Sequence, residues 1–248
     1  MLLYIKIITM VEISGTVLIS GIYLAEQENN IENIVSRFNT PSKWHVVQKW
    51  IAVGEKTVSD EVRQVTVMNI QNGLPKFSLL NTLLAEETLG TYDFIIVSDD
   101  DISMPIGFLD TYLDLVVRYN FALAQPARTH KSYIDHPFVE QLDGLKARRT
   151  RFVEIGPVIS IRRDAFTALL PFDESASMGW GLDFVWPCII EKLGLRMGII
   201  DAIPVEHSMR KPVKHYRYDE TNQSMKEYLS LTPHLSKDEA FRIHESYA

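Results

Sequence analysis

An uninterrupted apolar run at residues 94–97, the centre of a predicted strand at 92–98, constrains the fold more than any other feature of the sequence. An extended segment that is apolar at every position needs cover on both faces, as in a parallel sheet packed between helices. Two more apolar segments, residues 15–24 and 44–53, are predicted as strands, and residues 62–70 as a third extended run. Amphipathic repeats at residues 31–38 and 76–89 predict intervening helices. This alternation indicates an α/β fold with a mostly parallel central sheet flanked by helices.

The second half of the chain has a less regular pattern. We predict a polar, irregular stretch at residues 126–151, and such stretches in compact domains are usually functional loops. The other predicted elements are helices at 106–119, 164–170 and 181–193, strands at 121–125, 153–162 and 196–202, and two tail helices after Asp219 and from Ser236. No repeat, linker or low-complexity tract interrupts the chain, so residues 1–248 are predicted to form one domain.

Charge and cysteine content exclude several classes of function. The net charge of −7 argues against a broad surface for nucleic acid or anionic membranes, which needs clustered Lys and Arg. The single cysteine, Cys188, rules out an internal disulfide and favours a reducing, cytoplasmic location. Lys6 and Glu12 interrupt the apolar first 24 residues, so no stable membrane insertion is expected. Residues 1–14 are either an extra edge strand or an upstream extension.

Three consecutive aspartates, Asp99, Asp100 and Asp101, directly follow the central apolar run. They therefore lie at the carboxyl end of a buried parallel strand, where open α/β sheets bind ligands. In an extended segment Asp99 and Asp101 project to the same side. Carboxylates this close disfavour one another's ionisation, and a bound Mg²⁺ or Mn²⁺ relieves that repulsion with hard oxygen ligands. The alternative is that these aspartates only cap the following turn.

These aspartates resemble the DxD motif that ends a central strand in glycosyltransferases of the GT-A fold. The resemblance becomes more specific at residues 123–127 and 152–155, and above all at residues 179–183, Gly-Trp-Gly-Leu-Asp, followed by Trp186. Over residues 21–207 the chain resembles an uncharacterised plant and bacterial glycosyltransferase-like family, known in plants as related to lysine-ketoglutarate reductase trans-splicing. The resemblance implies a GT-A, Rossmann-like fold with a nucleotide-binding half at residues 15–101. It also implies an acceptor-side half at 102–207, with a smaller antiparallel region, and a helical tail at 208–248.

The family resemblance also implies a reaction. It is the metal-dependent transfer of a sugar from a nucleotide diphosphate donor, UDP-linked in preference, to a hydroxyl of a glycan or other acceptor. The metal, Mn²⁺ or Mg²⁺, would be held by Asp101, by Asp99 directly or through water, and by His207, with Asp100 supporting the donor. In inverting members the segment at residues 179–183 carries the catalytic base, which here is Asp183. The alternative for Asp183 is an ordinary first-turn helix aspartate, which the helix dipole favours.

Further residues are candidates for the donor and acceptor sites. Lys76 heads a predicted helix and would either neutralise donor phosphates or be solvated at the helix start. Glu55 would either accept a hydrogen bond from the nucleobase or serve only as a turn residue. Gly179 and Gly181 let the backbone approach a sugar, and Trp180 offers it a flat apolar face. His130 and Tyr133 are expected to line the acceptor pocket, or to satisfy neighbours on a surface loop. The basic run of Arg148, Arg149 and Arg151 would reach a diphosphate or acidic acceptor, or else form a solvated face.

Two other functions compete with sugar transfer. A sugar nucleotidyltransferase shares the α/β nucleotide-binding layout, but residues 21–25 lack the glycine-rich phosphate loop that it needs. A catalytically silent module that binds a sugar nucleotide or a glycan would keep the aspartate cluster and lose the base. The presence of Asp183 argues against the silent module.

Overall fold

The computed structural model describes residues 14–71, 74–211 and 218–248. The predicted turn at Asn72 and Gly73 lies outside these residues, and so does the segment before Ser14.

Nine strands and eight α-helices alternate through most of the described chain. The strands are β1 Gly15–Leu24, β2 Trp44–Val53, β3 Thr66–Ile70, β4 Phe94–Ser98, β5 Leu123–Arg128, β6 Ala147–Thr150, β7 Val158–Arg162, β8 Met197–Val205 and β9 Ile243–Tyr247. The helices are α1 Ile31–Phe38, α2 Asp60–Val65, α3 Lys76–Ala85, α4 Phe108–Arg118, α5 Phe166–Leu169, α6 Leu182–Lys192, α7 Tyr218–Leu231 and α8 Lys237–Ala240.

All nine strands belong to one sheet, in the order β3-β2-β1-β4-β7-β5-β8-β6-β9. The first four strands in this order pair in parallel, as the sequence predicts. Beyond β4 the sheet is mixed: β7 is antiparallel to β4 and β5, and β6 is antiparallel to β8 and β9, while β5 and β8 are parallel. The mixed α/β class is thus confirmed, and the parallel arrangement holds in one half of the sheet.

Strand β4 lies at the centre of the hydrophobic core, and all five of its residues are buried. Phe94 and Ile96 pack into a cluster with α1 and α4 on one face of the sheet. Ile95 and Val97 pack into a second cluster with α3 and α6 on the other face. Alternate residues of a strand point to opposite faces, so the apolar run fills both core layers.

Four predicted segments differ from the structure. The tail at 208–248, predicted as helical, ends in strand β9, which pairs with β6. Residues 62–65 belong to α2, because the Ser59 hydroxyl accepts the Val62 N–H at 3.3 Å and caps a helix there. The predicted strand at 153–162 starts only at Val158. The stretch 126–151 is not wholly irregular, since β5 continues to Arg128 and β6 begins at Ala147. Both of these strands contain arginines buried in ion pairs, which hide the hydrophobic pattern of a strand.

Candidate functional site

The three aspartates follow β4 at the carboxyl edge of the parallel half of the sheet and divide into two roles. The Asp100 carboxylate turns back into the fold and accepts the Leu24 N–H at 2.7 Å, at the end of β1. Its backbone carbonyl accepts the Asn30 N–H at 2.6 Å, just before α1. Asp100 is therefore buried and ties β4 to β1, whereas Asp99 and Asp101 point to a common site, as their alternation predicts.

Asp99, Asp101 and His207 form a cluster in which one ligand atom from each residue lies within 4.8 Å of the others. Paired backbone hydrogen bonds between Ser103 and Glu206, at 2.8 and 3.0 Å, hold the end of β8 beside the aspartates. His207 Nε2 accordingly lies 3.1 Å from Asp101 Oδ1. Two carboxylates and one imidazole are a donor set that suits a divalent ion such as Mn²⁺ or Mg²⁺. The residues present thus fit the metal that the sequence predicts.

Two cationic side chains neutralise the carboxylates. The Lys76 ammonium, at the start of α3, is hydrogen-bonded to Asp99. The Arg210 guanidinium pairs with Asp100 and, through its Nε at 3.0 Å, with Asp101. Lys76 was predicted to serve this site, but Arg210 was not. The sequence signal for Arg210 is only that a basic residue lies three positions after the candidate ligand His207. The segment around it is polar, which does not suggest burial.

The electrostatics of Asp100 and Asp101 differ. Burial raises the pKa of Asp100 to about 6, even though Arg210 and the Leu24 N–H stabilise its ionised form. Burial also opposes ionisation of Asp101. There the hydrogen bond and charge of His207, together with Arg210, outweigh burial and lower the pKa to about 2. The Asp101 carboxylate therefore stays ionised over the whole physiological pH range.

A cavity of about 530 Å³ lies among the end of β1, the segment after β2, helix α2 and strand β3. Its lining residues are Tyr23, Glu55, Lys56, Thr57, Val58, Arg63, Thr66 and Asn69. The predicted donor residue Glu55 is one of them, and its carboxylate accepts a hydrogen bond from Gln71 Nε2. Tyr23 precedes Leu24, whose N–H is bound by Asp100. The cavity and the Asp100 carboxylate therefore contact neighbouring residues of β1.

The Gly-Trp-Gly segment forms a tight loop before α6. Gly179 and Gly181 have positive φ angles of 80° and 98°, and Met178 between Ser177 and Gly179 has φ 58°. A Cβ on Gly179 would lie 2.0 Å from the Phe77 ring, so only glycine allows this contact with α3. Phe77 follows Lys76, and the loop therefore packs on the same helix turn that serves Asp99.

Asp183 lies in the first turn of α6 and is buried. Its Oδ1 atom has no hydrogen-bond partner among the described residues. Burial raises the pKa of Asp183 to about 7, with His136 opposing the shift and Glu154 adding to it. A carboxyl group with a pKa near the working pH has the properties of a general base.

The remaining candidates lie apart from this arrangement or serve structural roles. His130 is exposed and pairs with Glu140 at 2.7 Å. The Tyr133 backbone N–H donates to His207 O at 2.8 Å, so the backbone of this loop supports the metal cluster. The three clustered arginines are all engaged in ion pairs: Arg148 with Asp201, Arg149 with Glu245 and Arg151 with Glu191. These partners remove the basis for expecting them at a diphosphate.

Comparison with solved structures identifies the fold. The chain superposes on GalNAc-T7 in complex with UDP, GalNAc and Mn²⁺ with a TM-score of 0.58 and 10% identity, over 86% of this chain and 47% of that one. It superposes on S. aureus TarS 1-349 with a TM-score of 0.52 and 10% identity, over 87% of this chain and 70% of that one. A mycobacterial protein gives 0.52 and 13%, over 92% and 78%.

These similarities show a GT-A glycosyltransferase fold. The chain spans about half the length of the GalNAc-T7 structure, 47%. No protein-family model matches the chain, and no curated protein matches it by sequence. The plant and bacterial family that the motifs resemble therefore gains no support from sequence comparison. Among residues 14–71, 74–211 and 218–248, no helix combines the length and the apolar character that crossing a bilayer requires.

Proposed function

We propose that this protein is a metal-dependent glycosyltransferase that uses a nucleotide diphosphate sugar, with UDP as the favoured nucleotide. The observation that carries this proposal is the convergence of Asp99, Asp101 and His207 at the carboxyl edge of a GT-A sheet. Solved structures with the same fold hold UDP with Mn²⁺, in GalNAc-T7, and UDP-GlcNAc, in TarS. The choice between Mn²⁺ and Mg²⁺ and the cytoplasmic location stay predictions.

In this proposal the donor lies across the carboxyl edge of the sheet. The nucleobase occupies the cavity that contains Glu55, and the diphosphate lies at the aspartate cluster. A dication held by Asp99, Asp101 and His207 would stabilise negative charge on the departing diphosphate. Lys76 and Arg210, which neutralise the carboxylates in this structure, would pair with the phosphates instead.

Asp183 is the proposed general base. It removes the proton of an acceptor hydroxyl as that oxygen attacks the anomeric carbon and the nucleotide diphosphate leaves, so the configuration inverts in a single displacement. Two observations support this role: burial raises the pKa of Asp183 to about 7, and its Oδ1 has no hydrogen-bond partner among the described residues. Gly179, Trp180 and Gly181 would contact the acceptor. His130 and Tyr133 remain predicted acceptor residues.

The test is release of nucleotide diphosphate from a panel of UDP-sugars and GDP-sugars, with Mn²⁺ and with Mg²⁺. We expect turnover with at least one donor, and Asp101→Asn to reduce it on the order of 100-fold or more, because the metal loses an anionic ligand. The matched control is Asp143→Asn, since the Asp143 side chain is 85% exposed. Equal turnover by wild type and Asp101→Asn would refute the metal site. Saturable donor binding without turnover would identify a silent binding module.

A further inference from the structure

A row of side chains with alternating charge, two buried and one half-buried, leads from β5 toward the start of α6. The Arg128 guanidinium pairs with one carboxylate oxygen of Glu154, and both side chains are at most 5% exposed. Arg128 also donates to the carbonyls of Tyr133, at 2.8 Å, and Gly156, at 3.0 Å. The other oxygen of Glu154 lies 2.8 Å from Nδ1 of His136. Arg128 therefore holds the Glu154 carboxylate in place, and Glu154 in turn holds the His136 ring.

The His136 ring is held at the base of α6. Its centre lies 6.3 Å from that of Phe184, the residue after Asp183, and the two rings meet edge to face. Phe152, two residues before Glu154, packs on it at 5.1 Å, and Phe241 at 5.4 Å. The imidazole thus sits between the segment that carries Glu154 and the helix turn that carries Asp183. A ring enclosed by three aromatic neighbours has little freedom to move away from that turn.

Several charged groups lie near the His136 ring. Glu154 is hydrogen-bonded to the ring, and Asp183 lies one residue before Phe184, whose ring packs on it. Asp135 precedes His136 in the chain. On the remaining side, Lys237 Nζ lies 5.2 Å from the centre of the Phe241 ring. Burial lowers the pKa of His136, but the hydrogen bond and charge of Glu154, with the charge of Asp183, outweigh burial and raise it. These contacts therefore favour the protonated, positively charged form of His136.

We propose that His136, anchored by Glu154 and Arg128, is a positioning residue that places a positive charge beside the Asp183 carboxylate and keeps it ionised and in place. The catalytic meaning of this inference rests on the proposed function. Without a cation at this point, burial would leave Asp183 protonated at neutral pH and unable to accept the proton of an acceptor hydroxyl. Glu154 then acts on the base only through His136.

A measurement independent of activity tests the coupling. We would follow the histidine ring resonances of the whole protein by NMR as a function of pH, in wild type, Asp183→Asn and Asp143→Asn. Loss of the Asp183 charge is expected to lower the titration midpoint of His136 by about half a pH unit or more. Asp143→Asn, next to His130 at 3.8 Å, should lower the midpoint of His130 and leave His136 unchanged. An unchanged His136 midpoint in Asp183→Asn overturns the proposal.

A second measurement tests the consequence for catalysis. In His136→Gln, which retains a hydrogen-bonding group toward Glu154, the acidic limb of the kcat/KM profile should move to higher pH. Activity should recover at alkaline pH, and the KM for the donor should stay unchanged. If kcat/KM of His136→Gln were reduced by the same factor at every pH, His136 would have a merely structural role, and the proposal would be overturned. If the wild-type protein processes no nucleotide sugar, the proposed function fails, and the NMR titration alone decides this inference. The same titration decides it if His136→Gln does not fold.

Discussion

Asp101 and Asp183 show how the fold gives one residue type two opposite properties. The hydrogen bond and charge of His207, with Arg210, lower the pKa of Asp101 to about 2 in spite of burial. Burial raises the pKa of Asp183 to about 7. Acidic groups whose pKa values are pushed apart in this way are suited to different tasks, a permanently charged ligand and a proton acceptor. The sequence predicts both aspartates as functional but not this separation, which depends on partners distant in the chain.

The raised pKa of Asp183 predicts that Asp183→Asn stabilises the protein. An unfolded aspartate ionises near pH 3.8 and the folded one near pH 7, so wild-type stability falls as pH rises between these values. The amide variant lacks this loss, and its advantage should level off above pH 7 at about 2 to 4 kcal/mol. Urea unfolding at pH 4, 5.5, 7 and 8 measures it, with the exposed Asp143→Asn as control. A pH-independent difference would show that Asp183 ionises normally in the folded protein.

At the scale of elements, the loop before α6 depends on glycine for two separate reasons. Gly179 needs a positive φ angle, and it also needs the space that a side chain would take from Phe77. The sequence predicts that the glycines of this segment let its backbone approach a sugar closely. In the structure, Gly179 instead lets the loop pack closely on the Phe77 ring of α3, next to Lys76. The loop therefore contacts the same turn of α3 whose Lys76 is hydrogen-bonded to Asp99.

This packing predicts a large cost for Gly179→Ala. The Cβ would overlap the Phe77 ring in addition to straining φ, so we expect a loss of about 2 to 4 kcal/mol in the free energy of unfolding. Gly194→Ala is the matched control. Gly194 has a similar φ of 68°, but a Cβ there meets nothing within 4 Å. It should lose only about 1 kcal/mol, from backbone strain alone. Equal losses in the two variants, measured by urea unfolding, would show that Phe77 moves aside without cost.

For the whole molecule, local hydrophobic patterns predict the parallel half of the sheet but not the mixed half. The strands β1, β2 and β4 are apolar and lie between helices, so their residues alone indicate a parallel sheet. The other half depends on pairs far apart in sequence. Strand β6 was missed because Arg148 looks like a surface residue, although it is buried against Asp201, 53 residues away. Arg210 was missed at the site for the same reason, since its partners lie about 110 positions earlier.

The candidate metal site joins two parts of the chain that are separate in sequence, Asp99 and Asp101 after β4 and His207 after β8. A ligand that binds all three should therefore stabilise the whole fold rather than one segment. With free UDP and Mn²⁺ at 100 times their dissociation constant, the linkage relation gives about 2.7 kcal/mol. For a domain of this size, that corresponds to an increase of about 5 to 10 °C in the unfolding temperature.

We expect this increase in wild-type protein with UDP and Mn²⁺ together, and a smaller one with Mn²⁺ alone, because the diphosphate completes the coordination of the ion. In Asp101→Asn the ligand-induced increase should disappear, whatever the unfolding temperature of the variant itself. The exposed Asp143→Asn should keep it in full. The comparison is made on the ligand-induced shift in calorimetry, at pH 7.5 and matched ionic strength, with EDTA to reverse it. An equal shift in wild type and Asp101→Asn would place the binding of UDP and Mn²⁺ elsewhere on the molecule.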